Sequence, residues 1–107
     1  MKSLLTTPYI HETLENLFHV LLDYEQPVTL PGARGNTYRL RPKKLIGARL
    51  SNYVEVEHVV GPSPFRPKNF HMTEVDMFIQ FMYAKVKKAE LNKVYLRTLE
   101  NNERLAA

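Results

Sequence analysis

The chain has 107 residues, 44% of them apolar and 24% charged, a size and balance that fit one globular domain with its own core and exclude a wholly disordered polypeptide. It contains no cysteine, which excludes disulfides, thiolate zinc sites and thiol catalysis. Its 15 Lys and Arg outnumber its 11 Asp and Glu, leaving a net charge of +4 that favours a polyanionic partner without requiring one.

The first ten residues, MKSLLTTPYI, carry one lysine and too short an apolar run for a secretory signal. No stretch approaches the ~18 apolar residues of a membrane span. A soluble, cytoplasmic protein with no membrane partner is the expectation. Thr7-Pro8 reads as a helix start, because Thr can cap free amides and Pro fits the first helical position. Ile10, Leu14, Leu17, Phe18 and Leu21 then form one amphipathic stripe, predicting a helix over 8–24 that Pro27 ends. His11, Glu15 and His19 share a face of this helix at steps of four. That spacing is not HExxH and no further ligand cluster accompanies it, so no metal and no cofactor are expected.

Pro31, Gly32 and Gly35 punctuate the segment VTLPGARGN, which reads as a short extended piece and a loop. Tyr38 to Arg41 and Tyr53 to Val60 both alternate, predicting a hairpin over 37–60. Setting Leu40 opposite Val56 also sets Arg41 opposite Glu55, Arg39 opposite Glu57 and Tyr38 opposite His58. A slip of one residue would oppose Arg to Val and bury charge. The turn is expected beyond Pro42, around Gly47, where Lys43, Lys44 and Arg49 have no acid opposite them. GPSPFRPKNF, with three prolines in ten residues, reads as an ordered loop or stiff linker with Phe65 and Phe70 tucked beneath it.

Thr73-Glu74-Val75-Asp76 resembles a capping box, with Thr73 as the cap. Val75, Phe78, Ile79, Met82, Val86 and Ala89 follow as one apolar stripe, with Met77, Phe81 and Ala84 on the far side. Beyond Lys88 the phase changes, and Leu91, Val94, Tyr95, Thr98 and Leu99 form a stripe roughly opposite the first. A helical region over 74–102 is expected, either broken near Ala89–Asn92 or, since no Gly or Pro lies between Glu74 and Leu99, preferably one continuous helix, and residues 103–107 are expected to fray.

The expected fold is therefore α+β: an N-terminal helix, a small antiparallel sheet centred on a β-hairpin, and a long C-terminal helical region, all in one domain over 1–102. The element order also fits a winged-helix arrangement or a dimer in which C-terminal helices pair. No nucleophile–base pair, paired carboxylates or phosphate-binding glycine loop is evident, so a non-enzymatic protein is expected. Between Gln26 and Val54 there are six Lys or Arg and no acid. Arg66, Lys68, Lys85, Lys87 and Lys88 continue the theme, and Tyr38, Tyr53, Phe65 and Tyr83 are interleaved with it. Cations neutralise phosphates and aromatics stack on bases. This predicts an accessory or regulatory nucleic-acid-binding protein, acting as a dimer. Lys43, Lys44 and Arg49 would grip phosphates at the hairpin tip, and Arg34, Arg66, Lys68, Lys87 and Lys88 would extend the footprint. The second expectation is an interaction module that docks on a protein or oligomerises through Leu91, Val94, Tyr95 and Leu99.

Overall fold

The computed structural model describes residues 7–23, 26–44 and 52–106. Helix α1 (Thr7–Asp23) leads into strand β1 (Val28–Pro31) and a single 3-10 turn at Ala33–Gly35. Strands β2 (Thr37–Lys44), β3 (Asn52–Val60) and β4 (Lys68–His71) follow, then helices α2 (Val75–Tyr83) and α3 (Lys88–Ala106). The chain thus adopts the α+β class, with a four-stranded antiparallel meander in the order β1-β2-β3-β4. Among the described residues no helix is long and apolar enough to cross a membrane.

The strand alternation decides which face is covered. Val28, Leu30, Tyr38, Leu40, Val54, Val56 and Phe70 all point to one side and are buried there. The α1 stripe of Ile10, Leu14, Leu17, Phe18 and Leu21 is buried against them. Helix α1 lies across β2 and β3, α3 covers β1, and α2 covers β4. Phe18 and Phe78 meet with ring centroids 4.8 Å apart, which ties α1 to α2 beneath the sheet.

The predicted hairpin register is found pair for pair: Leu40 with Val56, Arg41 with Glu55, Arg39 with Glu57, and Tyr38 with His58. A bulge follows, since Thr37 pairs with Val60 and Val59 is left as the extra residue. The strand does not stop at Pro42, however. Pro42 pairs with Val54, Lys43 with Tyr53 and Lys44 with Asn52, so the hairpin shaft continues to Lys44. β1 ends opposite Leu40, so β2 is an edge strand at Pro42, where a residue without an N–H is accommodated. Part of the expected linker is also a strand, because Lys68–His71 takes the outer edge of β3.

The continuous C-terminal helix is not formed. Helix α2 ends at Tyr83 and α3 begins at Lys88. The break needs neither Gly nor Pro, because the backbone between them bonds to another part of the chain. Ala33 N–H donates to the Lys85 carbonyl (2.9 Å), Lys87 N–H donates to the Pro31 carbonyl (3.2 Å), and Val86 bridges Gly32. Val86 itself is buried. A Cβ on Gly32 would overlap the Tyr38 ring, so only glycine allows this approach. The break also overturns the predicted partner face. Leu91 and Val94 are buried in the chain's own core, and Tyr95 packs on it. Leu99 is half-buried on the same helix. The turn at 84–87 rotates this stripe inward, whereas one straight helix would have carried it outward. The Thr73 cap is likewise not made. Glu74 holds the N-cap position of α2, and its carboxylate accepts from the His71 N–H (2.8 Å).

Candidate functional site

The basic residues separate into two populations according to whether a carboxylate answers them. On the open face of the sheet, Arg39 donates through Nε and Nη2 to Glu57 Oε1 (3.0 and 2.8 Å). Arg41 Nε donates to Glu55 Oε1 (2.7 Å), and Lys43 Nζ to Glu55 Oε2 (3.2 Å). Glu55 has only 7% of its side chain exposed. Burial alone would push its carboxyl up, but the hydrogen bonds and charges of Arg41 and Lys43 outweigh that and hold it below the ordinary carboxylate value. The shaft therefore cancels its own charge, as the register predicts. The correction is Lys43. It belongs to the shaft and is paired with Glu55, so it is not a free cation at a tip. Lys44 closes the described part of β2 opposite Asn52, and Arg49 lies outside the described residues.

The second population gathers at the opposite end of the sheet. The pairs Lys44–Asn52 and Thr37–Val60 mark the two ends of the described β2–β3 ladder, ~23 Å apart at ~3.3 Å per residue. Three segments converge at the far end: the turn at 32–36, the loop at 61–68 and the α2–α3 junction at 84–88. The bonds between Pro31–Ala33 and Lys85–Lys87 join the first to the third. Asn36 joins the first to the second. Its side-chain Nδ2 donates to the Ala33 carbonyl (2.9 Å), and its Oδ1 accepts from Ser63 N–H (3.1 Å) and lies 3.0 Å from His58 Nε2.

Arg34, Arg66, Lys68, Lys87 and Lys88 of the predicted footprint lie on these three segments, as does Lys85, and of the six Arg34, Lys68 and Lys85 line clefts there. None of the six forms an ion pair with a described carboxylate. Arg34, Arg66, Lys68 and Lys87 are exposed. Lys88 is partly committed locally, because its Nζ donates to the Tyr83 carbonyl (2.9 Å) at the end of α2 and stands 4.5 Å over the Tyr83 ring. Lys85 stands 4.1 Å over Phe81 and 5.9 Å from Phe65, and Lys68 stands 5.2 Å from Phe81. The two half-buried rings meet edge to face at 5.2 Å. Lys85 and Phe81 are the residues that sequence reasoning left out of the site. Lys85 belongs to the 85–88 lysine cluster, which is a signal for it. Phe81 reads first as plain core and second, with Met77, Phe78, Met82 and Tyr83, as part of a groove for a partner.

Two adjoining clefts lie on this surface. One, of about 400 Å³, is lined by Lys68, Phe70, Met77, Gln80, Phe81 and Lys85. The other, of about 330 Å³, is lined by Arg34, Asn36, Tyr38, Ser63 and Lys85 together with two alanines. Both share Ala84 and Lys85. Arg34 is held in the left-handed region (φ 59°, ψ 32°), a conformation that costs a non-glycine residue about 1–2 kcal/mol.

The histidine face of α1 does not converge on one point. His19 Nε2 lies 3.9 Å from Glu15, while His11 sits edge to face with Tyr83 at 4.9 Å. Among the described residues, no three of His, Asp and Glu are placed to share a metal ion. Comparison of the chain with protein-family models, with curated proteins and with solved structures returns no match, so any reading of the site rests on its own geometry.

Proposed function

We propose that the protein is a small, non-enzymatic nucleic-acid-binding accessory protein whose contact surface is the cationic, aromatic region where 32–36, 61–68 and 84–88 meet. The observation that carries this reading is the contrast in charge. Arg39, Arg41 and Lys43 are each answered by a carboxylate, whereas Arg34, Arg66, Lys68, Lys85, Lys87 and Lys88 have no described carboxylate within 4.0 Å. Cations without an internal carboxylate neutralise phosphates at little cost in lost ion pairs and release the condensed counterions. Phe65 and Phe81 stand among them, and a single strand is the form of nucleic acid that offers both phosphates and base faces to such a surface. The surface lies within one chain, so a dimer is not needed to complete it.

Changing Lys68, Lys85 and Lys87 together to Glu is expected to weaken binding of a single-stranded oligonucleotide at least tenfold at low salt. The slope of log affinity against log salt should become shallower by about 2, the share of three phosphate contacts on a single strand. Fluorescence anisotropy titrations at several salt concentrations read both quantities. Unchanged affinity in the triple variant, or wild-type binding indifferent to salt, overturns the reading.

A further inference from the structure

We propose that the cleft beside Arg34 is an end-recognition pocket that takes the terminal phosphomonoester of a nucleic-acid strand. The inference rests on the surface proposed above and specifies what its deeper part binds.

Tyr38 carries the argument. It is only 2% exposed, and its ring is fixed on two sides, stacked on Phe65 (centroids 5.8 Å apart) and edge to face with His58 (6.0 Å). The far end of the ring lies over Gly32, beside the Lys85 carbonyl, because a Cβ built on Gly32 meets the ring there. Tyr38 lines the cleft. The hydroxyl makes no hydrogen bond to any described residue, although the chain leaves no described side-chain polar atom both sealed from solvent and unpaired. A phenol so deeply placed ordinarily finds a partner within the fold. The hydroxyl is not sealed from solvent, and Tyr38 lines the cleft, which gives its O–H an outlet there. Burial also raises its pKa, which keeps it a donor.

The other functions in the cleft point to the same ligand. Asn36 is already spent on Ala33, Ser63 and His58. The lining residues include no carboxylate. What is left consists of the Tyr38 and Ser63 hydroxyls and the Arg34 guanidinium, with Lys85 at the boundary shared with the larger cleft. Such a set suits an anion with several acceptor oxygens. A terminal phosphate carries close to two negative charges and three acceptors, whereas a phosphodiester within a strand carries one charge and fewer free oxygens. A cleft of about 330 Å³ holds a phosphate with part of its nucleotide, not a run of strand. The larger cleft around Phe81 adjoins it through Ala84 and Lys85, which gives the rest of the strand a continuous path. Arg34, which lines this cleft, holds a strained backbone, a feature that clusters at ligand-binding sites.

The test uses one single-stranded oligonucleotide in three forms, with a 5′-phosphate, a 3′-phosphate or neither, titrated against the whole chain and against Tyr38→Phe. One phosphorylated end is expected to bind about tenfold more tightly than the unphosphorylated strand. Tyr38→Phe should remove most of that preference, while leaving affinity for the unphosphorylated strand and the melting temperature unchanged, since the ring is kept and the hydroxyl has no partner in the fold. If both phosphorylated forms bind no better than the bare strand, the pocket is refuted and the surface stands. If the preference survives Tyr38→Phe, the assignment to this cleft is refuted. If no strand binds at all, the proposed function fails, and titration with a nucleoside monophosphate decides the pocket alone: binding weakened by Tyr38→Phe supports it, and no binding refutes it.

Discussion

Gly61→Ala is expected to destabilise the protein by about 3 kcal/mol or more, enough to lower its melting temperature by more than 10 °C. Gly61 leaves β3 with φ at 125°, a region that side chains rarely adopt. A Cβ there would lie 2.5 Å from Asn36 Oδ1, 2.6 Å from Asn36 Cα and 2.9 Å from the Gly35 carbonyl oxygen. Two of these three neighbours are backbone atoms, so a rotamer change cannot relieve the overlap. The turn at 32–36 or the loop at 61–65 has to move, and either movement pulls on the Asn36 amide. Its bonds to Ala33 and Ser63 then weaken together, each contributing about 1 kcal/mol. The damage should be confined at first to the end of the sheet that carries the candidate site. Asn36→Ala separates the two effects, because it removes the amide bonds and leaves Gly61 unstrained. It should therefore cost less than Gly61→Ala. Urea denaturation followed by circular dichroism compares them, and a Gly61→Ala midpoint equal to the wild-type value would show that the close approach carries no weight.

How much of this architecture a reader of the sequence can reach depends on whether local pattern or distant backbone decides each element. The hairpin was legible because two independent alternations, apolar against polar and positive against negative, agree on one register. Leu40 with Val56 and Arg41 with Glu55 each exclude the slipped pairing. The α1 stripe was legible for the same reason at helical period. Lys43 was misplaced because Pro42 reads as a terminator. The strand passes through it only because β1 has already ended opposite Leu40, a fact of sheet topology. Strand β4 has four residues, of which only Phe70 is buried, so alternation there carries no signal, and the edge of β3 makes the strand. The break after Tyr83 has no local breaker. It is set by backbone bonds to Pro31 and Ala33, more than fifty residues earlier in the chain, and it redirects Leu91 and Val94 from a supposed partner face into the core. The candidate site was legible as charge and illegible as place. Arg34, Arg66, Lys68 and Lys87 can be picked out singly, but their assembly depends on those same bonds and on Asn36. The open hydroxyl of Tyr38 has no counterpart in the sequence, where the residue reads as one more inward-facing aromatic.

Removing the carboxylate of Glu55 should destabilise the protein by about 2 kcal/mol at neutral pH, and acid should erase the difference. Glu55 accepts from Arg41 and Lys43 at once, and it is almost wholly covered by them and by the sheet. Glu55→Ala would leave two cations side by side with nothing between them. The cost stays below that of breaking a fully buried pair, because the side chains of Arg41 and Lys43 are about half exposed and water recovers part of the loss. The pH dependence follows from the direction of the shift. The carboxyl is held below its ordinary value of 4.5 in the folded chain, so the unfolded chain binds the proton first as pH falls. Its stabilisation is therefore complete above 4.5 and is lost progressively as pH drops below that value through the depressed folded one. Glu55→Gln should track the wild type increasingly closely under acid, as the wild-type side chain itself becomes neutral. Denaturation curves for wild type, Glu55→Gln and Glu55→Ala, taken from about pH 7 to about pH 3, supply the comparison. A gap between wild type and Glu55→Gln that stays constant across that range would mean that the charge of Glu55 does not stabilise the shaft. Arg41 and Lys43 would then count among the cations open to an outside anion, and the binding surface would have to be redrawn to include the open face of the sheet.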